Sequence, residues 1–135
     1  MILDDLSSFI AAGSTKFTAG TNLFRSMMPP TPHTCVGIYE NAGLPPDWSM
    51  GASTPTRERG RVQIVCRSTS YQTARTNMET IHVLLDHKIT NSTSVSSSGP
   101  RYLQVRASQT PFPIGQDENG RFRLACNYDI DKERS

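Results

Sequence analysis

Between Arg61 and His87 the hydrophobic period changes once, and that change constrains the fold more than anything else in the chain. Arg61-Val62-Gln63-Ile64-Val65-Cys66-Arg67 alternates: Val62, Ile64 and Cys66 fall on one side, Gln63 and Arg67 on the other. Period two with β-branched residues is the signature of a half-buried strand. Then Tyr71, Ala74, Met78, Ile81 and Leu85 follow at steps of three, four, three and four. That spacing predicts one apolar face of a helix about four turns long. Ser68, Thr69 and Ser70 stand at the junction, where a hydroxyl can accept from the first free amides. A strand running straight into an amphipathic helix sets the frame for the rest.

The chain has 135 residues, within the size of one domain and enough for a core without disulfide staples. A net charge of +2 is too small to argue for nucleic acid by itself. No apolar run approaches the roughly 20 residues of a membrane helix, and no signal peptide is expected from the N-terminal pattern. Cys35, Cys66 and Cys126 lie far apart in apolar alternations, without CxxC spacing. They read as small buried hydrophobes, and three free thiols suit a reducing cytoplasm.

Residues 2–12 predict a short helix with Ile2, Leu6, Phe9 and Ile10 on one face, Asp4 and Asp5 in its first turn, and Gly13 as its stop. Residues 13–22 are polar and receive no assignment. Residues 23–28 and 34–40 predict two strands, an antiparallel pair joined by the turn Met28-Pro29-Pro30-Thr31-Pro32. Residues 101–107 alternate, with Leu103, Val105 and Ala107 inward and Tyr102, Gln104 and Arg106 outward. The clearest strand is 121–130. It places Phe122, Leu124, Cys126, Tyr128 and Ile130 on one face and Arg121, Arg123, Asn127 and Asp129 on the other. Residues 88–98 read as a ragged edge strand or a loop, and 131–135 as a charged tail.

Two stretches show neither period. Residues 41–60 hold Pro45, Pro46 and Pro55, and the only tryptophan, Trp48, between Leu44 and Met50. So long an irregular segment in a compact domain usually has a use. Trp48 either folds back on its own core or anchors an arm on another subunit, since tryptophan buries much area at low entropy cost. Arg57, Arg59 and Arg61 close this stretch, as a solvated basic edge or a phosphate-facing one. Residues 108–120 hold Phe112 between two prolines, then Asp117-Glu118-Asn119-Gly120, a turn cue before the last strand.

The element order predicts an α+β fold: a mixed or antiparallel sheet with two helices packed on one face, as a single domain over 1–135. The opposite face carries Gln63, Arg67, Gln104, Arg106, Arg121 and Arg123, four of the six being arginine. It is either a solvated sheet side or a surface lining something negative or a neighbouring subunit.

No catalytic constellation is present in the sequence: no recognisable Ser-His-Asp signature, GxGxxG, GxxxxGK[ST] or HExxH. His82 and His87, five apart on one helix, point in different directions, so no shared metal is expected. Asp117-Glu118-Asn119 lacks the twelve-residue calcium pattern. The chain is expected not to be an enzyme, and to use no cofactor or metal.

Several motifs in order carry a resemblance. They are the N-terminal short helix and the run Met28-Pro29-x-x-Pro32-x-x-Cys35-Val36-x-Ile38-Tyr39-Glu40. Next come Val62-Gln63-Ile64-Val65-Cys66-Arg67-Ser68 ahead of Tyr71-Gln72-Thr73-Ala74-Arg75, and Pro113-Ile114-Gly115-Gln116-Asp117-Glu118-Asn119-Gly120-Arg121 running into the last strand. Together, from Leu3 to Ile130, they resemble the minor capsid proteins of long-tailed bacteriophages known as tail terminator, or tail completion, proteins. The resemblance implies a small α+β virion subunit forming a hexameric ring at the head-proximal end of the tail tube. Such a ring stops polymerisation of the tail tube protein and offers a surface to the head–tail connector, or neck, proteins. Genomic DNA passes through its lumen, with no membrane involved, and the virion is assembled in the host cytoplasm. In a ring, the two irregular stretches become candidate subunit or partner interfaces: Leu44, Trp48, Met50, Arg57, Arg59, Phe112, Asp117 and Glu118. The sheet face with Gln63, Arg67, Gln104, Arg106, Arg121 and Arg123 becomes a candidate lumen or seam, drawn weakly to phosphate. Two other readings remain at this stage: a head-completion or neck adaptor, and a nucleic-acid-binding module using Arg67, Arg106, Arg121 and Arg123.

Overall fold

In the computed structural model, residues 2–30, 32–47, 57–86 and 102–133 are described. The elements are α1 (Ile2–Gly13), β1 (Leu23–Arg25), β2 (Cys35–Asp47), β3 (Arg57–Ser68), α2 (Tyr71–Leu85), β4 (Tyr102–Ala107), β5 (Phe112–Gln116) and β6 (Phe122–Glu133). The strands form one mixed sheet in the order β1-β2-β3-β6-β4, with β5 also paired to β6. The fold is α+β, as the periodicities predict.

The strand-to-helix junction takes the expected form. Ser70 is the N-cap of α2, in extended conformation, and its hydroxyl accepts from the Thr73 amide. Ala74, Met78, Ile81 and Leu85 are fully buried. Tyr71, at the head of the stripe, is 41% exposed and meets the Phe122 ring edge-on instead of entering the core. Leu3, Leu6 and Ile10 of α1 join the same core, which the sheet completes with Val36, Ile38, Val62, Ile64, Cys66, Leu124, Cys126, Tyr128 and Ile130. Each such aliphatic side chain contributes roughly 1.5–3 kcal/mol by leaving water. Both helices therefore cover one face. They touch where a Cβ on Gly13 would lie 2.9 Å from Leu84 Cδ2. Cys35, Cys66 and Cys126 are free and buried, and burial pushes the Cys66 thiol far up.

The segment after α1 has a local order of its own. Phe17 is buried. The Asn22 side chain accepts from the Thr18 amide and donates to the Lys16 carbonyl, both at 2.7 Å. This knot positions β1.

Three expectations change. First, β1 pairs with β2 in parallel, Leu23 opposite Val36 and Arg25 opposite Ile38. The chain reverses twice: at Ser26, in left-handed conformation with φ of 64°, and again before Cys35. Because β1 is only three residues long, the short return through the prolines suffices. Second, 41–60 is not irregular throughout, since β2 runs to Asp47 and β3 begins at Arg57. The ladder slips between Asn41 and Leu44 and again between Leu44 and Asp47. Beyond Ile38 the other edge of β2 has no ladder partner among the described residues. Prolines 45 and 46 thus sit where a strand tolerates them, on an edge and beside bulges. Third, 108–120 contains β5. Strands β4 and β5 share one edge of β6, β4 along Tyr128–Lys132 and β5 along Phe122–Ala125, as two halves of an interrupted strand. Pro111 and Pro113 hide the period because they stand at that interruption and on an edge with no second ladder partner among the described residues.

Candidate functional site

The sheet face away from the helices is the candidate site, and the strand register builds it in rows. Directly opposed residues share a face. One row crosses four strands: Asn41, Arg61, Asp129 and Arg106. A second holds Tyr39, Gln63 and Asn127, and a third holds Arg59, Asp131 and Gln104, with Leu44 at the register position beside Arg59. Arg61 Nε donates to Asp129 Oδ1 at 2.8 Å, and Asn41 Nδ2 donates to Asn127 Oδ1 at 3.2 Å. Arg106 is exposed and makes no hydrogen bond or ion pair among the described residues. Two shallow grooves meet over this row. One, of about 670 Å³, is bounded by Asn41, Arg61, Arg106, Asn127 and Asp129; the other, of about 320 Å³, by Arg59, Gln104, Arg106 and Asp131.

An apolar row, Gly37-Val65-Ala125-Phe112, crosses the sheet beside this polar field. Val65 and Ala125 are buried although they face away from the helices. Tyr39 and Met28 lean over Gly37, where a Cβ would lie 2.9 Å from Tyr39 Cε2 and 2.7 Å from Met28 Cγ. Burial raises the Tyr39 phenol's pKa, as does the nearby Cys35 thiol, while Arg67 and Arg123 oppose the shift. Phe112, an expected interface residue, is half-buried in this row.

Beyond it stands a second basic group. Arg67 and Arg123 are directly opposed across β3 and β6. Arg67 is 5% exposed and bound entirely to backbone: its Nη2 reaches the carbonyls of Pro29 at 2.6 Å and Pro32 at 2.9 Å, and its Nε that of His33 at 3.3 Å. Arg121 is 6% exposed; its Nη1 donates to the Pro30 carbonyl at 2.6 Å and its Nε to Asp117 Oδ2 at 2.7 Å. These two guanidiniums clasp the proline loop over the sheet. They face inward to carbonyls and not outward to a ligand. Burial pushes the Asp117 carboxyl up, but the Arg121 amide, the Arg121 guanidinium and the Asn119 amide outweigh it and hold the carboxyl below its ordinary range. Glu118, beside it, is exposed.

Of the residues singled out from sequence, the structure brings Arg59, Gln63, Gln104 and Arg106 into the polar field. It places Arg67, Arg121, Arg123 and Asp117 in the separate basic group. Trp48 and Met50 lie outside the described residues, as do the side chains of Leu44 and Arg57, whose backbones pair in the β2–β3 ladder. Sequence periodicity does not single out Asn41 or Asp131. Asn41 follows a strand end blurred by prolines, and Asp131 stood in the expected tail, yet β6 runs on to Glu133.

A family described as "Bacteriophage tail terminator protein" matches residues 10–134. The chain belongs to the bacteriophage tail terminator family. Among solved structures, it is similar to a chain from the "Virion of native gene transfer agent (GTA) particle". That likeness has a TM-score of 0.55 at 14% identity, over 96% of this chain and 84% of that one. At such identity the likeness speaks to the fold. No curated protein matches. As a tail terminator, the protein is a structural component of the virion.

Proposed function

We propose that this tail terminator forms a ring on the head-proximal end of the tail tube, stops addition of tube protein, and presents a surface to the head-side connector. The observation that carries the reading is the polar field: a sheet face crossing four strands, with arginines at its centre and no helix packed on it among the described residues. In a ring, each subunit uses two different patches on its neighbours, so the assembly closes by rotation. The sheet face then lines the lumen. Arg59, Arg61 and Arg106 attract passing phosphate, while Asp129 and Asp131, interleaved with them, keep any single contact weak. A mixed lining of this kind lets DNA slide rather than bind.

Electron microscopy of particles assembled without this gene product tests the proposal. Overlong tail tubes lacking heads are the expected result. Tails of normal length that fail to join heads would shift the protein to a neck-adaptor role. Normal infectious particles would overturn both.

A further inference from the structure

The basic group at the foot of the sheet brings three guanidiniums together, and among the described residues only Arg121 has a carboxylate partner, Asp117. Arg67, Arg121 and Arg123 stand together, with Arg67 spent on carbonyls and Arg121 on Asp117 and a carbonyl. Arg123 is left with one long contact, Nη2 to the Gln116 carbonyl at 3.5 Å. Its Nε–H is sealed from solvent and meets no acceptor among the described residues. A buried donor without a partner is rare in a native fold. Beside it, Gln116, Asp117, Glu118, Asn119, Arg121 and Arg123 bound a pocket of about 360 Å³.

We propose that this pocket, between the β5–β6 turn and the Arg123 guanidinium, is a carboxylate site that an acidic side chain of another virion subunit fills on assembly. The Arg123 guanidinium, which meets no carboxylate among the described residues, selects the occupant. A guanidinium offers two parallel donors, from Nε and one Nη, that match the two oxygens of a carboxylate. Filling the site requires a turn about the last side-chain torsions of Arg123, which exposes the Nε–H that is sealed in the free subunit. Gln116 and Asn119 supply neutral amide donors at the rim. Asp117 and Glu118 stand at the same rim and repel an extended polyanion, so a single carboxylate fits where a nucleic-acid strand does not. That the partner belongs to a virion rests on the tail-terminator reading; the chemistry of the pocket does not.

The test reads the orphaned group itself. In ¹H–¹⁵N spectra of the isolated, folded protein, the Arg123 Nε–H resonance is assigned by its loss in Arg123→Lys. Sodium acetate is then titrated against sodium chloride at matched ionic strength, followed by inorganic phosphate. The expected result is a saturable shift of that one resonance in acetate, with no saturable shift in chloride. A resonance that acetate does not move, or that chloride moves equally, overturns the site. Saturation by phosphate at a lower concentration than acetate overturns the carboxylate assignment in favour of a phosphate site. The wild-type subunit is the titrated sample, and Arg123→Lys serves only the assignment, which the unchanged remaining resonances of that variant validate. The result does not depend on ring assembly, so this proposal can fail while the terminator function stands, and the reverse.

Discussion

Arg67 shows how a residue type that suggests a ligand site can serve the fold. Its guanidinium holds three loop carbonyls with almost no exposure to water. Arg67→Gln leaves those carbonyls largely unmet, and hydrogen bonds to charged groups are worth about 1.5–3 kcal/mol, so a loss of about 3 kcal/mol in urea unfolding is expected. Gly37 is tight for the opposite reason. A Cβ there runs into Met28 and Tyr39. Gly37→Ala should destabilise by about 1–3 kcal/mol through overpacking, and Met28→Ala in the same chain should recover part of it, as chemical denaturation would show. Asp117 gives a pH signature. Its folded pKa lies below the ordinary 3.8, so its contribution is full above that value and is lost as pH falls through the folded pKa. The stability gap between wild type and Asp117→Asn should therefore close below about pH 4 when both are melted across an acid series. None of these roles follows from residue type: Arg67 depends on carbonyls more than thirty residues away, Gly37 on side chains that fold over it, and Asp117 on a turn geometry.

At the scale of elements, α2 is locked to the sheet at its C-terminal end. His82 Nδ1 lies 3.2 Å from the hydroxyl of the buried Tyr128, and the Asp86 carboxylate accepts the Ala107 amide of β4 at 2.9 Å. Asp86 thus ties the end of the helix to a strand that follows much later in the chain. Asp86→Ala should cost about 1–2 kcal/mol, and the Ala107 amide should exchange with solvent markedly faster. The helices and the long strands β3 and β6 were legible because their burial pattern repeats over many residues. The direction of β1 was not. A three-residue strand has too few positions to show a register, and its parallel pairing depends on a loop that Arg67 and Arg121 hold from elsewhere. Strand β5 and the far halves of β2 and β3 were hidden by prolines and bulges, which break the alternation without breaking the ladder.

For the whole molecule, the rows on the open sheet face set how it meets charge. The field carries arginines on β3 and β4 and aspartates on β6 between them, so duplex DNA should bind weakly and with a shallow salt dependence. Arg106→Glu should lower the slope of log affinity against log salt by about 1 and leave the subunit's stability within about 0.5 kcal/mol, measured by fluorescence anisotropy and thermal melting. A steep slope in the wild type would mean that the arginines act together as a binding site and not as a lubricated lining.

The α+β class, both helices, the apolar faces of β3, β4 and β6, and the polar character of the opposite face were determined by the sequence itself. Each rests on a local repeat of apolar and polar residues, and such a repeat survives in one dimension. Which arginines face outward was decided only by the tertiary structure. Arg106 and Arg67 both stand at polar positions of alternating strands, yet one lies bare over a groove and the other under a proline loop. The difference is made by a segment folded back from another part of the chain, and no periodicity within a strand records what will come to lie across it.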